Sequence, residues 1–272
     1  MSSRASSMPE VFSKSSSANQ GFGSVLKAEI LRLHNKGATI ILGILVLISE
    51  AIFLGLTTVS FSVIEGGFTQ VAIASSAISL LYVVIGIYIV CSVSREHEDN
   101  TTLGTLMIVP NRSRLFAGRM VAWIVFALIA GLAGYIIALL AMFPFQEHIS
   151  GEIVMSDLAE GISFSLFKLA FTAVICFSIG TIFRRVGFGL IVYLTLELIG
   201  GMIISSVAGM MPEDVANIFI EINKLLPNSL SSALTSHPTD AEGGILKPLI
   251  GMIAWMGVLG AGAFAIFKKV TR

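Results

Sequence analysis

Charge is scarce in this chain. Only 12% of its 272 residues are Asp, Glu, Lys or Arg, and 17 basic residues cancel 17 acidic ones. Soluble domains carry about 25% charged residues, and a solvated surface cannot be built from half of that. The balanced charge leaves no basic excess to hold nucleic acid. Cysteine is scarcer still. Cys91 and Cys176 are the only two, each inside an apolar run, and they suggest no disulfide framework. Four histidines occur without HxxxH or CxxC context, so no metal site is expected. The sequence also has no GxxxxGK[ST] phosphate loop, no HExxH and no GxSxG. No catalytic residue and no cofactor held by this chain are therefore expected.

What is abundant is apolar, at 55% of the chain. A membrane crossing takes about 20 mostly apolar residues. Six such runs occur, at 38–59, 71–93, 120–143, 162–183, 188–211 and 245–267. Helices satisfy every backbone group within their own segment, and the runs do not alternate as barrel strands do. The expectation is an all-α polytopic membrane protein with six transmembrane helices. The first run is not a cleavable signal, because it starts late and is too long.

The few charges set the orientation. Fourteen Lys and Arg fall in the N-terminal segment, the 95–119 connection, the Arg184–Arg185 turn and the C-terminus; Lys224 alone falls on the other side. Positive residues stay inside, so both termini are expected to be cytoplasmic, in a plasma membrane. The outer connections are acidic, with Glu147, Glu152, Asp157 and Glu160 in one and Glu213, Asp214, Glu221, Asp240 and Glu242 in another.

Three segments organise the rest. Residues 1–21 are Ser-rich and read as a disordered cytoplasmic tail. Residues 22–37 read as an interfacial helix, with Phe22, Val25, Leu26, Ile30 and Leu33 at helical spacing and Lys27, Arg32 and Lys36 near headgroups. The pattern is imperfect, since Glu29 falls near the stripe. Residues 38–272 form the transmembrane domain, with an outer helical insertion before the sixth helix. There Pro212, Glu213 and Asp214 suit a helix start, Val215, Ile218, Phe219, Ile222, Leu225 and Leu226 form a stripe, and Pro227 ends it.

The connection 95–119 is not linker-like. Glu96, Glu98 and Asp99 suit a helix N-terminus, Leu103, Leu106 and Met107 give a short apolar face, and Pro110 breaks the helix before Arg112, Arg114 and Arg119. A short helix held between two spans is suited to docking into a cytoplasmic partner, and a solvated loop with positive-inside arginines is the alternative.

Charges inside apolar spans are costly and mark candidate sites. Glu50 lies about 18 Å into the first span, Glu197 about 13–14 Å into the fifth, and Lys168 about 9 Å below the outer end of the fourth. Glu50 and Lys168 fall at similar depth and are a candidate pair. The alternative is a neutral, hydrogen-bonded Glu50 and a Lys168 that snorkels outward. Gly201, Ser205 and Gly209 make a small-residue stripe that suits close helix approach, either within the bundle or between two copies.

Thr102 and Leu103 behind acidic residues, Leu106 three further on, then Pro110 with Arg112 or Arg114 resemble the coupling segment of ATP-binding-cassette exporter permeases of the second integral-membrane type. Thr101 stands where a Gly is commoner. The similarity covers about 22–267.

That resemblance implies a permease subunit that exports cargo such as a peptide, antibiotic, lipid or glycan. It would bind a separate cytoplasmic ATPase subunit carrying ATP and Mg, with Glu96, Glu98, Asp99, Thr102, Leu103, Leu106, Pro110, Arg112 and Arg114 at the coupling site. It also implies pairing with a second copy or a similar permease in bacterial membrane lipid, no nucleic acid, and a path near Glu50, Glu197 and Lys168. Gly201, Ser205 and Gly209 are the preferred dimer contact. An ATPase-independent channel, ion-coupled carrier or assembly scaffold is the competing reading.

Overall fold

A computed structural model describes residues 21–33, 43–44, 46–48, 52, 70–99, 111–142, 155–236 and 245–270. Its elements are α1 (Phe22–Leu33), α2 (Gln70–Glu98), α3 (Arg112–Met142), α4 (Met155–Phe183), α5 (Val186–Leu194), a π turn (Thr195–Ile199), α6 (Gly200–Ala208), α7 (Glu213–Lys224), α8 (Pro227–Ser236) and α9 (Leu246–Val270). No strand occurs among the described residues.

Four helical stretches there are long and apolar enough to cross a membrane: Arg112–Ile137, Gly161–Phe183, Val186–Ala208 and Leu246–Lys269. They correspond to the third to sixth expected spans. The second expected span lies along α2, and most of the first, 38–59, lies outside the described residues, as do the tail through residue 20 and the segment 101–110.

The four differ in what surrounds them. In α4, 72% of the apolar window is buried, against 6% for the α5–α6 stretch and 11% for α9. Accordingly α4 is the central post, and α2, α3 and α9 pack around it. The sequence makes this possible through spacing. Leu81, Ile85, Ile89 and Val93 recur every four residues on α2 and are all buried, which is the i, i+4 ridge of a helix face. Gly180 on α4 receives Val93, where an added Cβ would stand 2.9 Å from that side chain. At the arginine-rich end Phe116 of α3 meets Phe177 of α4 and Phe264 of α9, each at 5.3 Å between ring centroids. Edge-on aromatic pairs of this kind add about 0.5–1.5 kcal/mol each beyond area burial.

At the opposite end α7 folds back on α6. Asn223 Nδ2 donates to Ser205 Oγ at 3.1 Å, and Trp255 Nε1 of α9 donates to the Leu225 carbonyl at 2.8 Å. Leu230 of α8 fits against Gly251 of α9, which has no room for a Cβ.

Several boundaries differ from the sequence expectation. Pro212 is the residue before α7 rather than its first, and Pro227, which follows the end of α7 as expected, also opens a further helix, α8. Proline lacks only an N–H that a first helical turn leaves unpaired anyway, so it starts a helix as readily as it stops one. The fifth span is not one α-helix, because the π turn interrupts it. The packed face of α1 is Val25, Glu29 and Leu33; Phe22 and Ile30 lie on its exposed side. Glu29 enters the buried stripe because a cation meets it there.

Candidate functional site

Four charged side chains join three helices at the arginine-rich end. Arg119 of α3 is 3% exposed, and its Nε lies 3.2 Å from Glu29 Oε1 of α1, itself buried. Its Nη1 lies 3.4 Å from Glu96 Oε2 of α2. Arg32 of α1 closes the ring, with Nε 3.0 Å from Glu29 Oε2 and Nη2 2.7 Å from Glu96 Oε1. Each carboxylate thus faces two guanidiniums. Such alternation offsets the desolvation of a buried pair, and removing one member strands its partner.

This placement corrects the expectation for the acidic residues. Glu96 and Glu98 do not start a helix; they end α2, with Asp99 in the turn after it. A helix C-terminus repels carboxylates. Arg32 and Arg119 supply the compensating charge at Glu96. Glu98 Oε1 accepts a hydrogen bond from the Val186 backbone N–H at 3.1 Å, at the start of α5, where a carboxylate is favoured. The structure thus turns both glutamates toward this chain's own helices.

The arginines Arg112 and Arg114 lie in the first turn of α3. Asn111 Oδ1 accepts from the Arg114 N–H at 3.2 Å and caps that helix. Arg112 Nη1 donates to the Lys268 carbonyl at 3.3 Å, tying α3 to the end of α9. Thr102, Leu103, Leu106 and Pro110 lie outside the described residues. His97 sits between these groups, 6.4 Å from the Phe267 ring. Burial, then the charges of Arg119 and Arg184, push its imidazole down to about 4, so it is neutral at pH 7.

A second cluster lies at mid-span. Lys168 of α4 is 6% exposed, and its Nζ stands 4.2 Å from the centre of the Tyr82 ring of α2. It does not snorkel outward. Glu197, in the π turn, is close enough to act on Lys168 electrostatically. Tyr193, four residues before Glu197 on α5, donates its hydroxyl to the Tyr82 carbonyl at 3.2 Å. Its ring fills the notch left by Gly86. The Cys176 thiol and the Tyr193 hydroxyl are hydrogen-bonded, as are Tyr82 and Ser165. Glu50 lies outside the described residues; among the described residues the acidic group brought to Lys168 is Glu197. The sequence reading singled out neither Tyr82 nor Tyr193. The available signal was the spacing Gly189, Tyr193, Glu197, one helix face at i, i+4 and i+8.

The small-residue stripe has a neighbour within the chain. Asn223 bonds Ser205, and its Oδ1 lies 3.3 Å from where a Gly201 Cβ would be. Gly209 lies at the exposed end of α6. No three His, Cys, Asp or Glu side chains come together in a metal-binding arrangement among the described residues.

The stretch holding both clusters is also the stretch with a recognisable lineage. A family model described as "ABC-2 family transporter protein" matches residues 25–202, more than half of the chain. This chain belongs to the ABC-2 transporter family. The match begins within α1 and ends early in α6, so Glu29, Glu96, Arg119, Tyr82, Lys168, Tyr193 and Glu197 all fall inside it. No curated protein matches the chain. Membership makes this ABC-2 protein a membrane component of transport.

Proposed function

We propose that this ABC-2 protein is the permease subunit of an ATP-driven exporter in a bacterial plasma membrane. It crosses the membrane six times, the spans at 38–59 and 71–93 completing the four apolar stretches above, with both termini cytoplasmic. Its partner is a separate cytoplasmic ATPase subunit that carries ATP and Mg, and two such permeases pair. Cargo leaves the cell as a peptide, antibiotic, lipid or similar molecule.

The observation that carries this reading is the ring of Glu29, Arg32, Glu96 and Arg119. It fastens α1 to the helices on both sides of the connection 95–119, at the end where positive residues collect. Displacement of that connection is therefore delivered to three helices together. Leu103 and Leu106 supply its apolar contact to the ATPase, and Glu50, Glu197 and Lys168 lie along the path.

Affinity purification from the native host tests the proposal. An ABC ATPase is expected to co-purify and to be lost with Leu103→Asp plus Leu106→Asp. If no ATPase associates and the double variant transports normally, an ATPase-independent channel, carrier or scaffold replaces this reading.

A further inference from the structure

Helices α2 and α5 are fastened along their common length. At one end Glu98 of α2 caps α5 through the Val186 N–H. Midway, Gly189 of α5 lies so close to α2 that a Cβ would stand 2.9 Å from Val90 and 3.1 Å from Ser94. At the other end Tyr193 bonds the Tyr82 carbonyl and occupies the Gly86 notch. Immediately beyond Tyr193 the α-helix gives way to the π turn. Its wider ring needs space, and Gly200 supplies it; a Cβ there would stand 2.8 Å from the Thr195 carbonyl oxygen. π turns are rare, occur mostly as single turns inside α-helices, and sit often at functional sites. Beyond the turn, α6 is held by α7 through Ser205 and Asn223. So α5 belongs mechanically to α2, while α6 belongs to the outer insertion.

One side chain of the central post touches this assembly electrostatically in two places. The Lys168 ammonium lies over the Tyr82 ring on α2 and feels the carboxylate of Glu197 in the π turn. Among the described residues every salt bridge lies elsewhere, at the arginine-rich end or on α7. A buried ammonium with one face on an aromatic ring is held by a directional attraction that grows as water is excluded. Beside the Tyr82–Ser165 and Tyr193–Cys176 hydrogen bonds, it holds α4 to α2 at Tyr82 and to the π turn at Glu197 without a fixed hydrogen bond at Glu197, so it can be left and regained.

We infer that α2 and α5 move as one strapped blade, and that Lys168 is the positioning residue that sets the blade's resting place against α4. Tyr82 and Glu197 are its two catches, and the π turn is the hinge. Glu98 then acts toward α5: it makes the coupling end of α2 and the start of α5 a single handle. This rests on the permease reading above, which supplies the force on that handle.

Cys176 reports the movement, since its thiol on α4 is fully buried and bonded to Tyr193 of the blade. The experiment uses the permease–ATPase complex in nanodiscs with Cys91→Ser, labelled by N-ethylmaleimide with and without ATP, with ATP hydrolysis measured on the same complex. Lys168→Met keeps the chain length and removes the charge. It is expected to raise the resting labelling rate about tenfold, and to remove the further rise with ATP while hydrolysis continues. Lys168→Arg keeps a cation over the ring and is expected to stay within about twofold of the parent. ATP is expected to speed labelling in the parent complex.

Labelling of Lys168→Met at the parent rate, with the rise on adding ATP unchanged, overturns the inference. So does a Lys168→Arg complex that folds and assembles yet labels like Lys168→Met. A chain that recruits no ATPase overturns the permease reading and the blade with it. A parent complex that assembles and hydrolyses ATP with Cys176 labelling unchanged overturns the blade alone.

Discussion

Arg119 and Glu29 form an ion pair across 3.2 Å, both nearly sealed from solvent, between helices 90 residues apart in sequence. A charge so placed is tolerable only with its partner present. Arg119→Ala is expected to destabilise the protein by about 3–5 kcal/mol, because it strands Glu29 and takes one cation from Glu96. Glu29→Ala costs less, since Arg119 keeps Glu96. Thermal unfolding in detergent checks the order. A double-mutant cycle is expected to show a coupling of about 0.5–3 kcal/mol.

His97 makes stability depend on pH in a defined direction. Its imidazole is held neutral down to about 4 by burial and by Arg119 and Arg184, whereas the unfolded chain takes up that proton near pH 6.5. Between those values the unfolded state binds more protons, so acidification favours unfolding. The stability is present above pH 6.5 and is lost progressively as pH falls toward 4. A melting temperature measured at steps from pH 7.5 to 4.5 is expected to fall, and to fall less in His97→Gln.

Gly86 tests the fit of Tyr193. An alanine methyl there has no room, since the Tyr193 ring already occupies the space. Gly86→Ala is expected to cost about 1–3 kcal/mol, the usual range for overpacking. Gly187→Ala, six residues before Tyr193 on α5 and with nothing within 4 Å of its added methyl, is the control. It is expected to be neutral or slightly stabilising, by up to about 1 kcal/mol.

The outer helix tests the small-residue stripe. Asn223→Ala removes the bond to Ser205 and is expected to cost about 0.5–1.5 kcal/mol, with faster amide exchange confined to α7. Cross-linking then locates the second copy. A cysteine at Met202, 72% exposed, is expected to cross-link between copies more readily than one at Ser205, which faces Asn223. The reverse order places the dimer contact on the stripe itself.

The helical character and the apolar runs were legible because they follow from local rules: hydropathy over a span and 3.6-residue spacing. That Glu197 reaches Lys168 was not. Depth along a helix can be counted from sequence, and it put Glu50, which lies outside the described residues, level with Lys168; which face a span turns inward depends on packing, and packing brings Glu197 to Lys168 as well. The acids of 95–99 were read as a helix start from their charge alone. Glu96 and Glu98 end α2 instead: Arg32 and Arg119 arrive from other helices to offset the unfavourable dipole at Glu96, and Glu98 turns to the start of α5. The π turn could not be read either, since no residue type demands one; Gly200 leaves the room it needs beside the Thr195 carbonyl.

The turn between α4 and α5 has one further consequence. Only Arg184 and Arg185 separate the two helices, and Arg184 has φ of 51°, a backbone region that a non-glycine residue enters at a cost of about 1 kcal/mol. A link this short has no slack. The two helix ends it joins stay level with each other in the bilayer, whatever the rest of the molecule does. Any relative travel of α4 and α5 is pivoted about Arg184 and grows with distance from it, so that it is already appreciable at mid-span, beside Lys168. The arginine turn is thus a fixed depth gauge, and the membrane's middle is where the fold keeps its freedom.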